Sequence, residues 1–301
     1  MKKFRFKKID AFATPNSSGN PAGYIYIDPD INISKHEMLS IAKELKGFVN
    51  EVGYVKKLTN TSFDLKYYSS EREVVFCGHA TIAILYDLIS NDPELCQTEL
   101  IQITTNRGVL NVENRIQHED AVFICSPKPQ FIDNQPDIDD LTASLKINAQ
   151  AIDPTKPMAT INAGLTTLLI PIQSLNDIVN IAPDLDELKK FCERSNIDII
   201  EVFTSDAANP ANDFRTRVFA PTFGYLEDPA TGSGNSALGY YLLNNGLWNK
   251  ATINIEQNGT LNNYNMVKLQ MQIDEEGTER VWFGGGAITR IEGSYLLQSA
   301  N

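Results

Sequence analysis

Two stretches 154 residues apart repeat one pattern, and that repetition limits the fold more than any other feature of the chain. "FCGHATIAILYDLI" begins at Phe76 and "ATGSGNSALGYYLL" begins at Ala230. In register, Cys77 meets Thr231, Gly78 meets Gly232, His79 meets Ser233, Ala83 meets Ala237 and Tyr86 meets Tyr240. Each stretch sets small or polar residues at the mouth of an apolar, helix-like run. Each is followed, after a strand-like segment, by an Asn-and-Gly turn, "TTNRG" in one and "EQNG" in the other. The same order of strand, helix, strand and turn on both sides of a linker predicts a duplication.

A helix start of this kind has specific chemistry. Its first N–H groups lack intrahelical partners, and the end carries about half a positive charge. It is therefore ready to bind an anion, and a glycine there lets a ligand approach the backbone closely. The plainer reading is that side chains such as Ser233 or Thr231 cap the ends. For one stretch alone that reading suffices; the pair points to a site.

The bulk numbers bound the rest. A chain of 301 residues suggests two domains. Its 42% hydrophobic and 21% charged residues are those of a globular protein. A net charge of −12 repels polyanions, which argues against nucleic acid as a partner. A small anionic or zwitterionic substrate would need local positive potential, which helix mouths supply. The four cysteines, Cys77, Cys96, Cys125 and Cys192, form no close pair, so zinc and dithiol chemistry have little support and no metal is expected. The N-terminus lacks an apolar signal core and no run approaches 18 apolar residues, so the expected setting is the cytosol with no membrane partner.

Along the chain, "KKFRFKKIDAF" alternates as a strand, "SSGNPAG" is turn chemistry, and "SKHEMLSIAKELKGF" is a helix with Ser34 as N-cap, Glu37 as its capping-box partner and Gly47 closing it. "DLDELKKFCERSN" is another, with Asp184 as N-cap. "SPKPQFIDNQPDIDD" (126–140), rich in Pro and Asp, is the linker candidate. Many short strands with only about four helices give an α+β class without steady βαβ alternation. "GGGA" (284–287) precedes a strand and so is no phosphate cradle.

"IDAF…GNPAG" (9–23), "NEVGYV" (50–55), "FCGHAT" (76–81) and "LEDPATGSGN" (226–235) together resemble the PhzF-like family, named for phenazine biosynthesis, within the diaminopimelate-epimerase-like fold. The motifs run in order through nearly the whole chain. The resemblance implies two pseudo-symmetric lobes, each a curved, mostly antiparallel sheet around a central helix, with the site in the cleft between. The lobes are expected at 1–127, with a C-terminal strand at about 286–301 returning to it, and at 128–285. It also implies a cofactor-free isomerase and a homodimer.

Glu51, read from the residues alone, is one of 38 acidic side chains. The resemblance gives it the acid/base role: a glutamate can take a proton from carbon and return it elsewhere if burial or a nearby carboxylate lifts its pKa. Asp228 reads as a turn residue before Pro229; the resemblance places it in the pocket, binding a substrate amine and raising the pKa of Glu51. His79 at a helix mouth should have a lowered pKa and be neutral at pH 7; the resemblance assigns it proton handling or substrate positioning. Ser233 is its counterpart, a ligand hydrogen-bonder or simply a first-turn residue. Asn20 either lines the pocket or serves the turn. The backbones of Gly78 and Gly232 would hold the substrate.

In the epimerase and proline-racemase relatives of the fold, two cysteines face each other at the two helix mouths. Here Cys77 is matched by Thr231, an alcohol that does not replace a thiolate. Cys77 is expected as a small buried residue lining the site. Arg215 and Arg217, alternating with apolar residues in "FRTRVFAP", are expected on an exposed strand face. A two-base epimerase and a non-catalytic small-molecule binding protein stay open beside the single-carboxylate isomerase.

Overall fold

A computed structural model of the chain describes residues 1–134 and 136–298. Gln135, within the segment read as a linker, and residues 299–301, at the end of the predicted C-terminal strand, lie outside the described residues. The chain divides into two units, Met1–Cys125 with Gly284–Asn301, and Ser126–Phe283.

In chain order, the first unit contains β1 (Lys2–Ala11), β2 (Asn20–Tyr26), α1 (Lys35–Glu44), β3 (Glu51–Lys57), β4 (Ser62–Ser69), β5 (Glu73–Val74), α2 (Gly78–Ser90), α3 (Pro93–Cys96), β6 (Leu100–Thr105), β7 (Gly108–Asn114), α4 (Ile116–Glu119) and β8 (Val122–Cys125). The second contains β9 (Gln130–Ile132), α5 (Ile138–Leu145), β10 (Ala159–Asn162), β11 (Thr166–Pro171), α6 (Leu175–Val179), α7 (Leu185–Arg194), β12 (Ile199–Thr204), β13 (Phe214–Phe219), β14 (Glu227–Asp228), α8 (Gly232–Asn244), β15 (Thr252–Gln257) and β16 (Asn265–Ile273). β17 (Glu279–Gly285) follows, and β18 (Ala287–Leu297) pairs antiparallel with β1.

The same pairing scheme recurs in each unit. Most neighbours are antiparallel, with two parallel exceptions: β2 with β3 and β4 with β6 in the first, β11 with β12 and β13 with β15 in the second. Parallel neighbours need a crossover of a dozen or more residues. α1 supplies it between β2 and β3, and α2 between β4 and β6. α6 with α7, and then α8, do the same in the second unit. These crossovers are separated by antiparallel hairpins, which is why the chain shows no steady βαβ alternation.

The central helices show why their sequences are apolar all round. Ala80, Thr81, Ile82, Ala83, Ile84 and Leu85 are consecutive and buried, more than a full turn of α2. In α8 every residue from Gly234 to Leu242 is buried. A helix with no solvent face must be enclosed: α2 packs on β1, β2, β3, β8 and β18, and α8 on β10, β11, β12 and β16. Both helices have 13 residues and start at the matched glycines.

Local signals elsewhere were accurate. The Ser34–Glu37 capping box is formed in both directions, Gly47 has φ +84°, and the Asp184 side chain accepts from the Asp186 and Glu187 N–H groups. Three expectations need correction. The Pro- and Asp-rich segment is not a free linker: β9 pairs with β10, and Asp137 caps α5. Four short helices, α3 to α6, join the four expected ones among the described residues, because segments of one or two turns show little periodicity. Arg215 and Arg217 are not exposed. Arg215 is fully buried against Glu256, Nη1 to Oε2 3.0 Å, and Arg217 pairs with Glu227 at 2.8 Å. Each side chain meets a carboxylate beneath the strand surface, on a strand that only folding brings alongside: β15 for Arg215 and β14 for Arg217.

Among the described residues no helix is long and apolar enough to cross a membrane.

Candidate functional site

In the first unit, β3 and the mouth of α2 bring three predicted residues together. Glu51 opens β3 and pairs in register with Ala22 and Ser69. Its Oε2 lies 3.4 Å from His79 Nε2. Cys77 Sγ lies close to both ring nitrogens, 3.5 Å from His79 Nδ1 and 3.8 Å from Nε2. The carboxylate, thiol and imidazole ligand atoms all lie within 4.8 Å of one another. Burial lowers the His79 pKa to about 4. The direction is the expected one, but desolvation is the cause rather than the helix end.

The backbone here is fixed from beneath. Cys77 is the N-cap of α2 and makes no side-chain cap bond. The Thr81 hydroxyl donates to the Cys77 carbonyl at 2.7 Å, and Tyr67 bonds the same hydroxyl at 2.6 Å. Gly78 is the first residue of the helix. Asn20 opens β2 opposite Ala11 and is buried, two residues before the partner of Glu51.

The second unit repeats the device with different side chains. Thr231 is the N-cap of α8, again without a side-chain cap bond, and Gly232 and Ser233 follow in the first turn. Asn235 takes the place of Thr81: its Nδ2 donates to the Thr231 carbonyl at 2.7 Å. Neither helix mouth is closed by the side chain of its N-cap residue. Asp228 lies not in a free turn but in β14, paired with Val218. Its pKa is raised to about 6 by burial, against hydrogen bonds from Thr231 and the Ala230 N–H that favour the charged form.

Gln257 was missed by the sequence reading. Its Oε1 accepts from Thr231 N at 3.0 Å and from Asn235 Nδ2 at 2.7 Å, while its Nε2 donates to the Asp228 carbonyl at 2.9 Å. One amide thus joins β15, the Asp228 strand and the entry to α8. The only sequence signal was its place in the repeated Asn-and-Gly turn.

Glu201 was also missed. The registers make Gly53–Tyr67–Val74 in the first unit equivalent to Glu201–Val218–Asp228 in the second. Where one unit has a glycine, the other has a fully buried carboxyl with no hydrogen-bond partner on either oxygen among the described residues. It fits because α8 has Gly234 beside it; a Cβ there would stand 2.6 Å from Glu201 Oε2. The signal was a lone acid in the apolar "IDIIEVFT".

Desolvation raises the Glu201 pKa well above the usual carboxylate range. A group whose folded pKa is raised contributes fully below its unfolded pKa and loses that contribution as pH rises toward the folded value. The slope is about 1.4 kcal/mol per pH unit. The stability difference between Glu201→Gln and the unmodified chain should therefore be flat at acid pH and grow in the mutant's favour above about pH 4.5. Urea unfolding across pH checks this; a difference that does not change with pH overturns the assignment.

Comparison with known proteins agrees with this architecture. Residues 9–293 match the PhzC-PhzF family model, described as phenazine biosynthesis-like protein. An uncharacterized isomerase of Bacillus subtilis, YfhB, is 28% identical, with 97% of this chain and 99% of that protein aligned. The uncharacterized isomerase YddE of Escherichia coli K12 is 26% identical, with 96% and 97% aligned. Among solved structures, a Bacillus anthracis phenazine biosynthesis protein of the PhzF family superposes with a TM-score of 0.85 at 22% identity, covering 99% of this chain and 100% of that one. A probable proline racemase of Agrobacterium radiobacter shares the fold at a TM-score of 0.62 and 11% identity, covering 98% and 93%. With a family model spanning almost its entire length, the chain belongs to the PhzC-PhzF family of phenazine biosynthesis-like proteins and is an isomerase.

Proposed function

We propose that the chain moves a proton within a small unsaturated or activated amino or carboxylic acid, with Glu51 as the single acid/base group and no cofactor. The observation that carries this reading is the 3.4 Å approach of Glu51 Oε2 to His79 Nε2. Burial lowers the His79 pKa to about 4, so the imidazole beside Glu51 is a neutral hydrogen-bonding partner. His79 is neutral at pH 7 and positions substrate without adding charge.

In the second unit, Asp228 binds a substrate ammonium, and Thr231, Gly232 and Ser233 offer hydroxyl and backbone donors to a substrate carboxylate. Asn20 and the Gly78 backbone serve the first unit in the same way. Thr231 at the place matching Cys77 disfavours two-base racemisation. Its hydroxyl is engaged with Gln257 Nε2 at 3.2 Å and with Asp228, and neither makes an alcohol as acidic as a thiol.

The test is incubation with small α-amino acids and β,γ-unsaturated acids in D₂O, followed by NMR. The expected result is deuterium entering as a proton or double bond changes position, with chirality at the α-carbon kept. Exchange with loss of chirality would instead establish a two-base epimerase. Ligand-induced stabilisation with no exchange in any compound would establish a binding protein.

A further inference from the structure

We propose that Glu51, Cys77 and His79 form a binding site for a soft divalent cation, zinc above all, with a fourth position open, and that its occupancy silences the protein. In a tetrahedral site, Zn–S of about 2.3 Å with Zn–N and Zn–O of about 2.05 and 2.1 Å sets an S···N edge of about 3.6 Å and an N···O edge of about 3.4 Å. Here Cys77 Sγ to His79 Nε2 is 3.8 Å and His79 Nε2 to Glu51 Oε2 is 3.4 Å. The third edge, from Cys77 to Glu51, is no longer than 4.8 Å. Cys77 Sγ also lies 3.5 Å from His79 Nδ1, so the site closes when the imidazole turns to aim its Nε2 lone pair between the thiol and the carboxylate, a side-chain rotation that needs no change in the helix mouth.

The donor chemistry selects the metal. Thiolate and imidazole suit zinc and disfavour magnesium and calcium, which take oxygen ligands. The three side chains are sheltered but reachable: Cys77 is 7% exposed, and the His79 and Glu51 side chains are 14% and 24% exposed. The hydrogen bonds of Thr81 and Tyr67 behind the Cys77 carbonyl give the outer-shell support that ordered metal sites use. Three protein ligands leave one position for water or a substrate oxygen. The silencing rests on the acid/base reading of Glu51, since a coordinated carboxylate cannot accept a proton; the binding itself does not depend on that reading.

Cobalt(II) titration of the full chain, with thiols kept reduced, tests the site. We expect one equivalent bound, visible d–d absorption of tetrahedral strength, a near-ultraviolet thiolate-to-cobalt band, and displacement of both by zinc. Cys77→Ala should remove the thiolate band, His79→Gln and Glu51→Gln should each weaken binding at least about tenfold, and Cys96→Ala should retain the spectrum. Circular dichroism confirms that each variant is folded. No tetrahedral spectrum with the unmodified chain, or a thiolate band that survives Cys77→Ala, overturns the site. Silencing is read separately: zinc should stop solvent exchange and EDTA restore it. Metal binding with an active Glu51→Gln protein would sink the acid/base reading and leave the metal site standing.

Discussion

Glu51→Gln is expected to lower turnover by roughly 10²–10⁴-fold while leaving the melting temperature and ligand-induced stabilisation nearly unchanged. The amide has the same shape and can keep the 3.4 Å approach to His79, but it cannot accept a proton at neutral pH. At the start of β3 the side chain is partly solvated, so its replacement leaves no uncompensated charge in the core. The rate is read as deuterium incorporation in D₂O, and folding by thermal melts with and without substrate. Incorporation at the unmodified rate would remove Glu51 from the chemistry, and the proposed reaction with it.

Glu256→Ala should cost about 3–5 kcal/mol of stability, because it strands a fully buried guanidinium. Glu256 accepts from Arg215 Nη1 at 3.0 Å, from the Ala208 and Asn209 N–H groups at 2.9 and 2.8 Å, and from Asn212 Nδ2 at 2.8 Å. One carboxylate thus holds β13 and the loop after β12 to β15. Replacing the pair together, Arg215→Met with Glu256→Leu, should recover much of the loss, since apolar side chains need no partners; the three freed loop donors limit the recovery. Equilibrium urea unfolding measures both. If the single replacement proves nearly neutral, water must reach Arg215 and the pair is not the buried clamp described.

The PhzF-like resemblance and the α+β class were legible in the sequence because both rest on short local motifs in a fixed order. The position of Glu51 was legible only through that resemblance: nothing in "VNEVGYV" separates it from the other acids. That His79 stands beside it was likewise legible only through the resemblance, since β3 and the α2 mouth meet by folding rather than by spacing. The exposed-face reading of Arg215 and Arg217 failed for a related reason. Alternation says that two side chains share a face of a strand, but not whether that face is covered or what charge awaits it.

By itself, the sequence determined whatever a few neighbouring residues can decide: the Ser34 and Asp184 caps, the apolar circumference of two central helices, and their common start at Gly78 and Gly232. Those depend on hydrogen bonds and side-chain periods within one or two turns. Only the tertiary structure decided which strands run parallel, that Glu201 is buried beside Gly234, and that a thiol, an imidazole and a carboxylate converge at one helix mouth. Those are relations between segments tens of residues apart, set by strand register and by helices threading between parallel neighbours, and no local pattern encodes them.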